Sequence, residues 1–521
     1  MKKMSKALKY LIPTMVMMMV FTACTDLAVK ELDSKIIEST SGAFSGVDPA
    51  AALKSAYGDV RQFGDQANMY AMLEVASDEL LVPTRGTDWG DNGVWRLLHT
   101  HDWDATHPYI LNTWNNLNAN GFRLNQLLAP ESKASAQQLA EGKFLRAWNS
   151  FYIMDFWRQI PQRGVNDEAS KAPEVLTGQA AFDFIIGDLE SALTDLPTRT
   201  AGAASNVKDS PFASKAAARF LLAKMYLNKH IYLKSTPQAA DMTKVIGYVD
   251  AIKADGFTLQ SGYFEIFEKT DDSETIFWTD AGVGNRIWNG MHYKMFADGK
   301  DSGKDGGWNG FSTTADFYAL FEGSAANNHP GAGQEERRGF VPNAPTTNGT
   351  GIGFGFLVGQ QYNKAGEPLK DRAGAPLVLT KDFPGLAGNN ERTGIRVIKY
   401  NPGNDNAFTS HQVLFRYADA HLMKIEAILR GGTSGDAAQT LFDELRTIRN
   451  ASSKTVSLEE VFNERGRELY IEGWRRNDQV RFGKYSTPYG FKTNTDAYRD
   501  VYPIPASAIS SNPNLKQNEG Y

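Results

Sequence analysis

Cysteine is almost missing from this chain: Cys24 is the one thiol in 521 residues. An intramolecular disulfide is excluded, and so is a cysteine-rich metal centre. Long apolar runs are missing too. Leu11 to Phe21 is too short to span a bilayer, and no later segment carries a continuous apolar run long enough to do so. Nor does one sign of charge dominate. Lys and Arg number 55 against 60 Asp and Glu, a net charge of −5. Residues 1–23 hold Lys2, Lys3, Lys6 and Lys9 and no acid, so without them 51 basic residues face 60 acidic ones, a net of −9. Such a body has no general attraction for nucleic acid or anionic lipid. Motifs of covalent and phosphate chemistry are also absent. There is no GxSxG, and the glycine-rich Gly349–Gly359 stretch (GTGIGFGFLVG) has neither the GxGxxG spacing nor a following Lys-Ser/Thr, so it reads as strand or turn. No cofactor is expected.

What is present suits a folded body: 42% hydrophobic, 22% charged and 11% aromatic residues, with 10 Trp and 20 Tyr. So many amphipathic rings must in part lie outside the core or on binding faces. The first residues combine four lysines, a short apolar segment and Phe21-Thr22-Ala23-Cys24. That is the pattern of a signal peptide, and the small residues before Cys24 resemble a bacterial lipobox. The resemblance implies cleavage before Cys24 and lipid attachment to it, in place of a membrane-spanning anchor.

Helical periodicity recurs along the chain. Phe144, Trp148, Phe151, Tyr152 and Asp155 fall near one face, with Lys143 and Asn149 on others. KAAARFLLAKMYLN (215–228) is rich in helix formers. Ala418, Leu422, Ile425 and Leu429 form an apolar stripe, and Ser457-Leu458-Glu459-Glu460 reads as a capping box. Runs of Ala (Ala216, Ala217, Ala218, Ala223; Ala418, Ala420, Ala427) permit close helix approach, as stacked helical hairpins need. Residues 255–410 differ: they are rich in Gly, Asn, Asp and Thr, with short strand-like pieces at 275–278 and 394–400. The predicted organisation is a signal peptide (1–23), an acidic tether (24–45), an N-terminal helical part (46–254), a loop-rich insert (255–410) and a C-terminal part (411–521), irregular but packed from about 485. The fold class is mainly α, a tetratricopeptide-like helical-hairpin scaffold whose irregular insert carries short strands.

Five segments then align with a known pattern. Lys143-Phe144-Leu145-Arg146-Ala147, Ala218–Tyr226, Arg416-Tyr417-Ala418-Asp419 with Glu426-Ala427, the stretch Glu464–Asp478 and the closing Tyr502–Tyr521 occur, in this order, as they do in the SusD/RagB family. Asp419 stands where the family more often has Glu. With the lipobox these segments reach from Cys24 to Tyr521, and the chain is similar to a SusD/RagB nutrient-binding lipoprotein. The resemblance implies a scaffold of tetratricopeptide-like hairpins, no enzymatic activity, and a place on the outer membrane facing the cell exterior. It also implies a partner, a SusC-like TonB-dependent transporter, to which glycan is delivered. A peptide ligand in the same uptake system is the alternative, and a surface glycoside hydrolase a more distant one.

Several clusters could carry chemistry. The carboxylates of Glu464–Asp478 fit an ion-pair network at helical spacing better than acid–base catalysis. His99, His101, Asp102, Asp104 and His107 lack a metal-binding spacing and read as a polar loop opening a helix. Asp298, Asp301 and Asp305 are interrupted by Lys300 and Lys304 and read as a flexible loop, not a calcium site. The aromatic loops are more informative, because sugar rings stack on flat aromatic faces while their hydroxyls need polar partners. One cluster holds Arg85, Asp88, Trp89 and Trp95; the other holds Trp288 and Tyr293, then Trp308 and Asn309. These eight residues are the expected ligand contacts. The competing reading has each Trp capping a hydrophobic seam; glycines beside Trp89 and Trp308 favour exposure of those two.

Overall fold

Helices begin where the sequence supplies caps. Asp48 accepts a hydrogen bond from the Ala51 amide at 2.7 Å, and Pro49 opens the helix Pro49–Val60. His107 and Pro108 do the same for Pro108–Leu128. Ser135 and Gln138 form a reciprocal capping box ahead of Ala136–Trp157, and Ser214 caps Lys215–Tyr232. Each device satisfies an amide that would otherwise lack a partner. The structure is a computed structural model that describes residues 43–201, 213–268, 272–279, 290–295, 307–324, 327–346, 351–401 and 412–521. Cys24, Trp288, Asp298, Asp301 and Asp305 lie outside the described residues.

Pro108–Leu128, Ala136–Trp157, Gly178–Asp195, Lys215–Tyr232 and Ala239–Ala254 pack each on the next. Tyr417–Leu429 then adds to Ala239–Ala254, and Ala438–Ile448 to Tyr417–Leu429. This is the expected tetratricopeptide-like stack. Ala216, Ala217, Ala218, Ala223, Ala418, Ala420 and Ala427 are all fully buried, as close helix approach requires. Ala136–Trp157 departs from its expected single apolar face. Asn149 is buried along with Phe144, Trp148, Phe151 and Tyr152, and its amide donates to the Leu117 carbonyl at 2.7 Å. A helix buried all round lies between layers, so its hydrophobic pattern loses its one-sidedness.

After Ala254 the chain leaves the stack. Strand Thr275–Thr279 pairs antiparallel with Gln412–Arg416, so the excursion opens and closes at one place. Between them Gly339–Phe340, Phe354–Leu357 and Arg396–Ile398 form a three-stranded sheet. Gly339 and Gly355 face each other there with φ of 66° and 66°, and a Cβ on either would strike the opposite backbone. Both faces of Arg396–Ile398 meet protein: Arg396 and Ile398 are buried and Val397 is partly so, which explains its weak alternation. A second core of Tyr263, Phe267, Phe317, Phe321, Phe356 and Ile395 fills this region. The end of the chain packs as expected, with a 3-10 turn, Ala497–Asp500, and a short helix, Ala506–Ser511; Tyr502 is buried and its hydroxyl donates to the Met72 carbonyl at 2.7 Å. Among the described residues no helix is long and apolar enough to cross a membrane.

The charged stretch 464–478 is not one helix. Leu458–Leu469 and Arg475–Arg481 are separated by a turn in which Ile471 and Gly473 have φ of 53° and 84°. Glu79 accepts the freed Ile471 amide at 2.9 Å, and Glu74 accepts that of Gly473. Its ion pairs reach far beyond helical spacing. Glu468 binds Arg416 at 2.7 Å, Arg449 at 2.9 Å and Arg337 at 3.2 Å. Arg465 binds Asp419 and Asp478 at 2.7 and 2.8 Å, Arg475 binds Asp78 at 2.7 Å, and Arg476 binds Asp155 at 2.8 Å. Of the pairs expected inside the stretch, Arg467 with Glu464 at 2.5 Å follows i,i+3 spacing. Nearly every one of these groups is buried. The pattern is a structural network, with tertiary partners in place of most of the helical neighbours expected.

Candidate functional site

The loop after Asn68–Glu74 and the loop around Trp308 meet on one face. Leu81 and Ser312 exchange backbone hydrogen bonds at 2.8 and 3.0 Å. A tight turn follows, with Arg85 and Asp88 bonded amide to carbonyl in both directions at 3.0 and 2.9 Å. Trp89 then takes a left-handed conformation, φ 60°, which lays its ring against Gly310. A Cβ at 310 would come within 2.5 Å of the Trp89 ring, so glycine is what permits this contact. The Trp89 indole N–H donates to the Trp308 carbonyl at 2.8 Å. Trp308 itself is 51% exposed. Gly310, two residues beyond Trp308, thus lets loops 219 residues apart in sequence meet.

Tyr293 joins this face. Its hydroxyl donates to Asp88 Oδ2 at 2.6 Å. The guanidinium of Arg372 lies 3.8 Å from the centre of its ring, 3.6 Å from Asp88 and 3.3 Å from Glu391. Glu391 also accepts the Nε2–H of His292 at 2.9 Å, while His292 Nδ1 accepts the Lys294 amide at 3.1 Å. Burial, then Arg396, Arg372, Arg85 and Lys294, pull His292 down to about 3, so the imidazole is neutral and its bond to Glu391 is not an ion pair.

Three expected contacts are corrected. Trp95 is 2% exposed; it packs edge-on against Trp89, Tyr109 and Phe311 and donates to Asp91 Oδ2 at 2.7 Å. It supports the Trp89 ring from below and offers no face to a ligand. Arg85 and Asn309 are buried as well. Arg85 donates to the carbonyls of Asn390 and Thr393 at 2.9 and 2.6 Å and to Ser312 Oγ at 2.8 Å. Asn309, at φ 56°, accepts from Arg396 Nε and Nη2 at 3.0 and 2.6 Å. Both fix the Trp308 loop. Of the eight expected residues, Asp88, Trp89, Tyr293 and Trp308 are therefore the partly exposed ones brought together here.

Sequence reasoning missed the loop 371–394, which supplies Arg372 and Glu391, and missed Arg396 beneath. One signal was there. Arg396 sits inside the apolar run Ile395-Arg396-Val397-Ile398, and an arginine buried in such a strand must find acceptors on neighbouring loops. The expected histidine loop also resolves. His101 Nε2 donates to the Ala76 carbonyl at 2.9 Å and His107 Nε2 to that of Val94 at 3.1 Å. Among the described residues no three His, Cys, Asp or Glu side chains are grouped to hold a metal ion.

The face combines an exposed indole, a second indole on its flank, a phenol and a guanidinium bracketed by two carboxylates. Rings of this kind stack on apolar C–H surfaces, and the charged groups supply directional donors and acceptors.

Residues 273–521 match the model of the SusD family. Over 444 residues, 77% of this chain and 76% of the relative, the sequence is 27% identical to the starch-binding protein SusD of Bacteroides thetaiotaomicron. Among solved structures, a laminarin-binding SusD-like protein covers 91% of this chain and 99% of its own with a TM-score of 0.65 at 21% identity. Surface glycan-binding protein A from Bacteroides uniformis covers 90% of this chain and 98% of its own with a TM-score of 0.68 at 19% identity. The likeness to these two structures is one of fold. Taken with the ordered motifs and the helical stack, these matches place residues 273–521 in the SusD family and make the chain as a whole similar to its members.

Proposed function

We propose that this protein is a cell-surface glycan-binding lipoprotein that holds oligosaccharides on the face made by Trp89, Tyr293 and Trp308 and passes them to a SusC-like TonB-dependent transporter. The observation that carries the reading is Trp308: an indole 51% exposed, on a loop that Trp89 and Arg396 fix in place. Exposing a large ring on a rigid support is costly without a ligand to cover it, and a sugar ring is the flat apolar partner that fits. The starch-binding relative and the laminarin-binding neighbour support a glycan over a peptide. In this reading the helices of 46–254 and 411–521 are the scaffold and 255–410 brings most of the ligand-facing loops. Cys24, outside the described residues, is the lipid attachment point, and the chain acts by binding, not by catalysis.

The test is calorimetric titration of the full chain, solubilised in detergent, with starch and laminarin oligosaccharides and with an acidic glycan set. Binding of a glycan that Trp308→Ala weakens severalfold, with unchanged melting, is the expected result. Binding of peptides alone, or release of reducing ends from any glycan, overturns it. For the anchor, Cys24→Ala should move the protein out of the membrane fraction in cells lacking the transporter, since acyl chains supply the affinity.

A further inference from the structure

Two guanidiniums lie directly under the aromatic face with no carboxylate bound to either among the described residues. Arg85 and Arg396 are 4% and 0% exposed. Both donate to Ser312 Oγ, at 2.8 and 2.9 Å, and both to the Thr393 carbonyl, at 2.6 and 2.8 Å. The other acceptors are the carbonyls of Asn390, Gly394 and Glu391 and the side-chain amide oxygen of Asn309. Arg85 Nε has no hydrogen-bond partner among the described residues. Neutral acceptors satisfy N–H groups but leave the two charges uncancelled. This contrasts with the network around Glu468, where each guanidinium meets at least one carboxylate.

Two carboxylates stand at the rim, Asp88 and Glu391, and Arg372 is placed between them at 3.6 and 3.3 Å. His292 is neutral and offsets nothing. Arg392 and Asp371 neutralise each other at 3.3 Å. Among the described residues Arg85, Arg372 and Arg396 thus face Asp88 and Glu391, a local excess of positive charge in a body that is acidic as a whole. Of the three, Arg372 is the one with an open side, its side chain 52% exposed on the ring of Tyr293.

We propose that the ligand is an acidic glycan, one bearing carboxylate or sulfate groups, and that Arg372 is the specificity-determining residue that meets the anionic group while Trp308 and Trp89 carry the sugar ring. This rests on the glycan-binding reading above. The planar fork of Arg372 suits a bidentate bond to either anion. Its link to Asp88 is the longer of its two and the one a ligand anion replaces. Arg85 and Arg396 add attraction from below without touching the ligand, because low-dielectric surroundings screen them little.

Calorimetric titration of the detergent-solubilised full chain with oligosaccharides matched in length tests this: laminarin and starch fragments as neutral probes, polygalacturonate and alginate fragments as carboxylated ones, carrageenan fragments as sulfated ones. We expect at least one acidic probe to bind about tenfold tighter than every neutral one at about 0.05 M salt, with most of that advantage gone at about 0.5 M. Arg372→Gln should erase the advantage, bringing the acidic-to-neutral affinity ratio down to about one. Asp88→Asn should enlarge it, and Trp308→Ala should weaken both classes. Melting curves confirm that each variant is folded. Neutral probes binding as tightly as acidic ones, or an acid preference that survives Arg372→Gln, overturns the inference and leaves glycan binding standing. If no probe of either class binds, or Trp308→Ala changes nothing, the glycan-binding reading itself fails and takes the inference with it.

Discussion

Two regions of this molecule are built from the same residue types and behave in opposite ways. Around Glu468, the residues Arg337, Arg416, Arg446, Arg449, Glu274 and Glu464 are all buried, and each charge has a partner. Burial opposes ionisation of Glu464, but Arg337, Arg467 and Arg446 overcome it and hold its carboxyl down to about 2. On the aromatic face the guanidiniums are only partly balanced, and rings stand in solvent. The first arrangement is closed on itself and ties Leu458–Leu469 to strands, loops and helices far away in sequence. The second has unused stacking surface and unused charge. What separates a structural site from a recognition site here is saturation, not composition.

Breaking the closed network should have the largest effect. Glu468→Ala takes a shared carboxylate from three buried arginines, leaving Arg337 to Glu335 and Glu464, Arg416 to Glu274 and Glu472, and Arg449 to Glu274, and should cost about 3–5 kcal/mol in chemical denaturation, with ligand affinity unchanged in whatever fraction folds. A loss of less than about 1 kcal/mol would show that the network is not saturated. Trp95→Ala comes next. Its ring is core, so the loss should be about 3–5 kcal/mol, with any fall in affinity following from slackening of Trp89. Unchanged melting would return Trp95 to the ligand face.

A pH series sharpens the same contrast. The folded pKa of Glu464 lies below its unfolded value near about 4.3, so its contribution is present above that value and disappears as pH falls through about 2. Denaturation midpoints should drop by a few kcal/mol equivalent across that window. Glu79 has the opposite sign: burial first, then Glu74, raises its pKa, so its contribution is lost as pH rises. Comparison with Glu464→Gln isolates the first effect; an unchanged acid limb in that variant would refute it. The smallest stability change belongs to Trp308→Ala, within about 0.5 kcal/mol by the same denaturation, because half of its surface is already wet. A drop of several kcal/mol there would place Trp308 among the core rings and erase the distinction between the two regions.

Much of the fold could be read in advance because it rests on local rules. Ser457 and the alanine runs specify a cap and close helix packing within a few residues of where they act. The order of motifs from Phe144 to Tyr521 sufficed for the family resemblance. The aromatic face was legible in outline, since glycines beside Trp89 and Trp308 favour exposure; Trp308 is exposed, and Gly310 admits the Trp89 ring. It was illegible in detail. Nothing local distinguishes Trp95, one helical turn beyond Asp91, from Trp89 four residues beyond Arg85, yet one is core and the other borders solvent. Arg372 and Glu391 come from a loop without periodicity, and their importance arises from what they approach.

The sequence by itself thus determined the mainly helical class, the capped and alanine-lined helices, the loop-rich middle and the family resemblance, because each depends on neighbours within a turn or two. Only the tertiary structure decided which charges cancel. Glu468 meets Arg337 across 131 residues and Arg85 shares Ser312 with Arg396 across 227 and 84. Electrostatic balance depends on distance in space and on burial, and neither is a property of spacing along the chain.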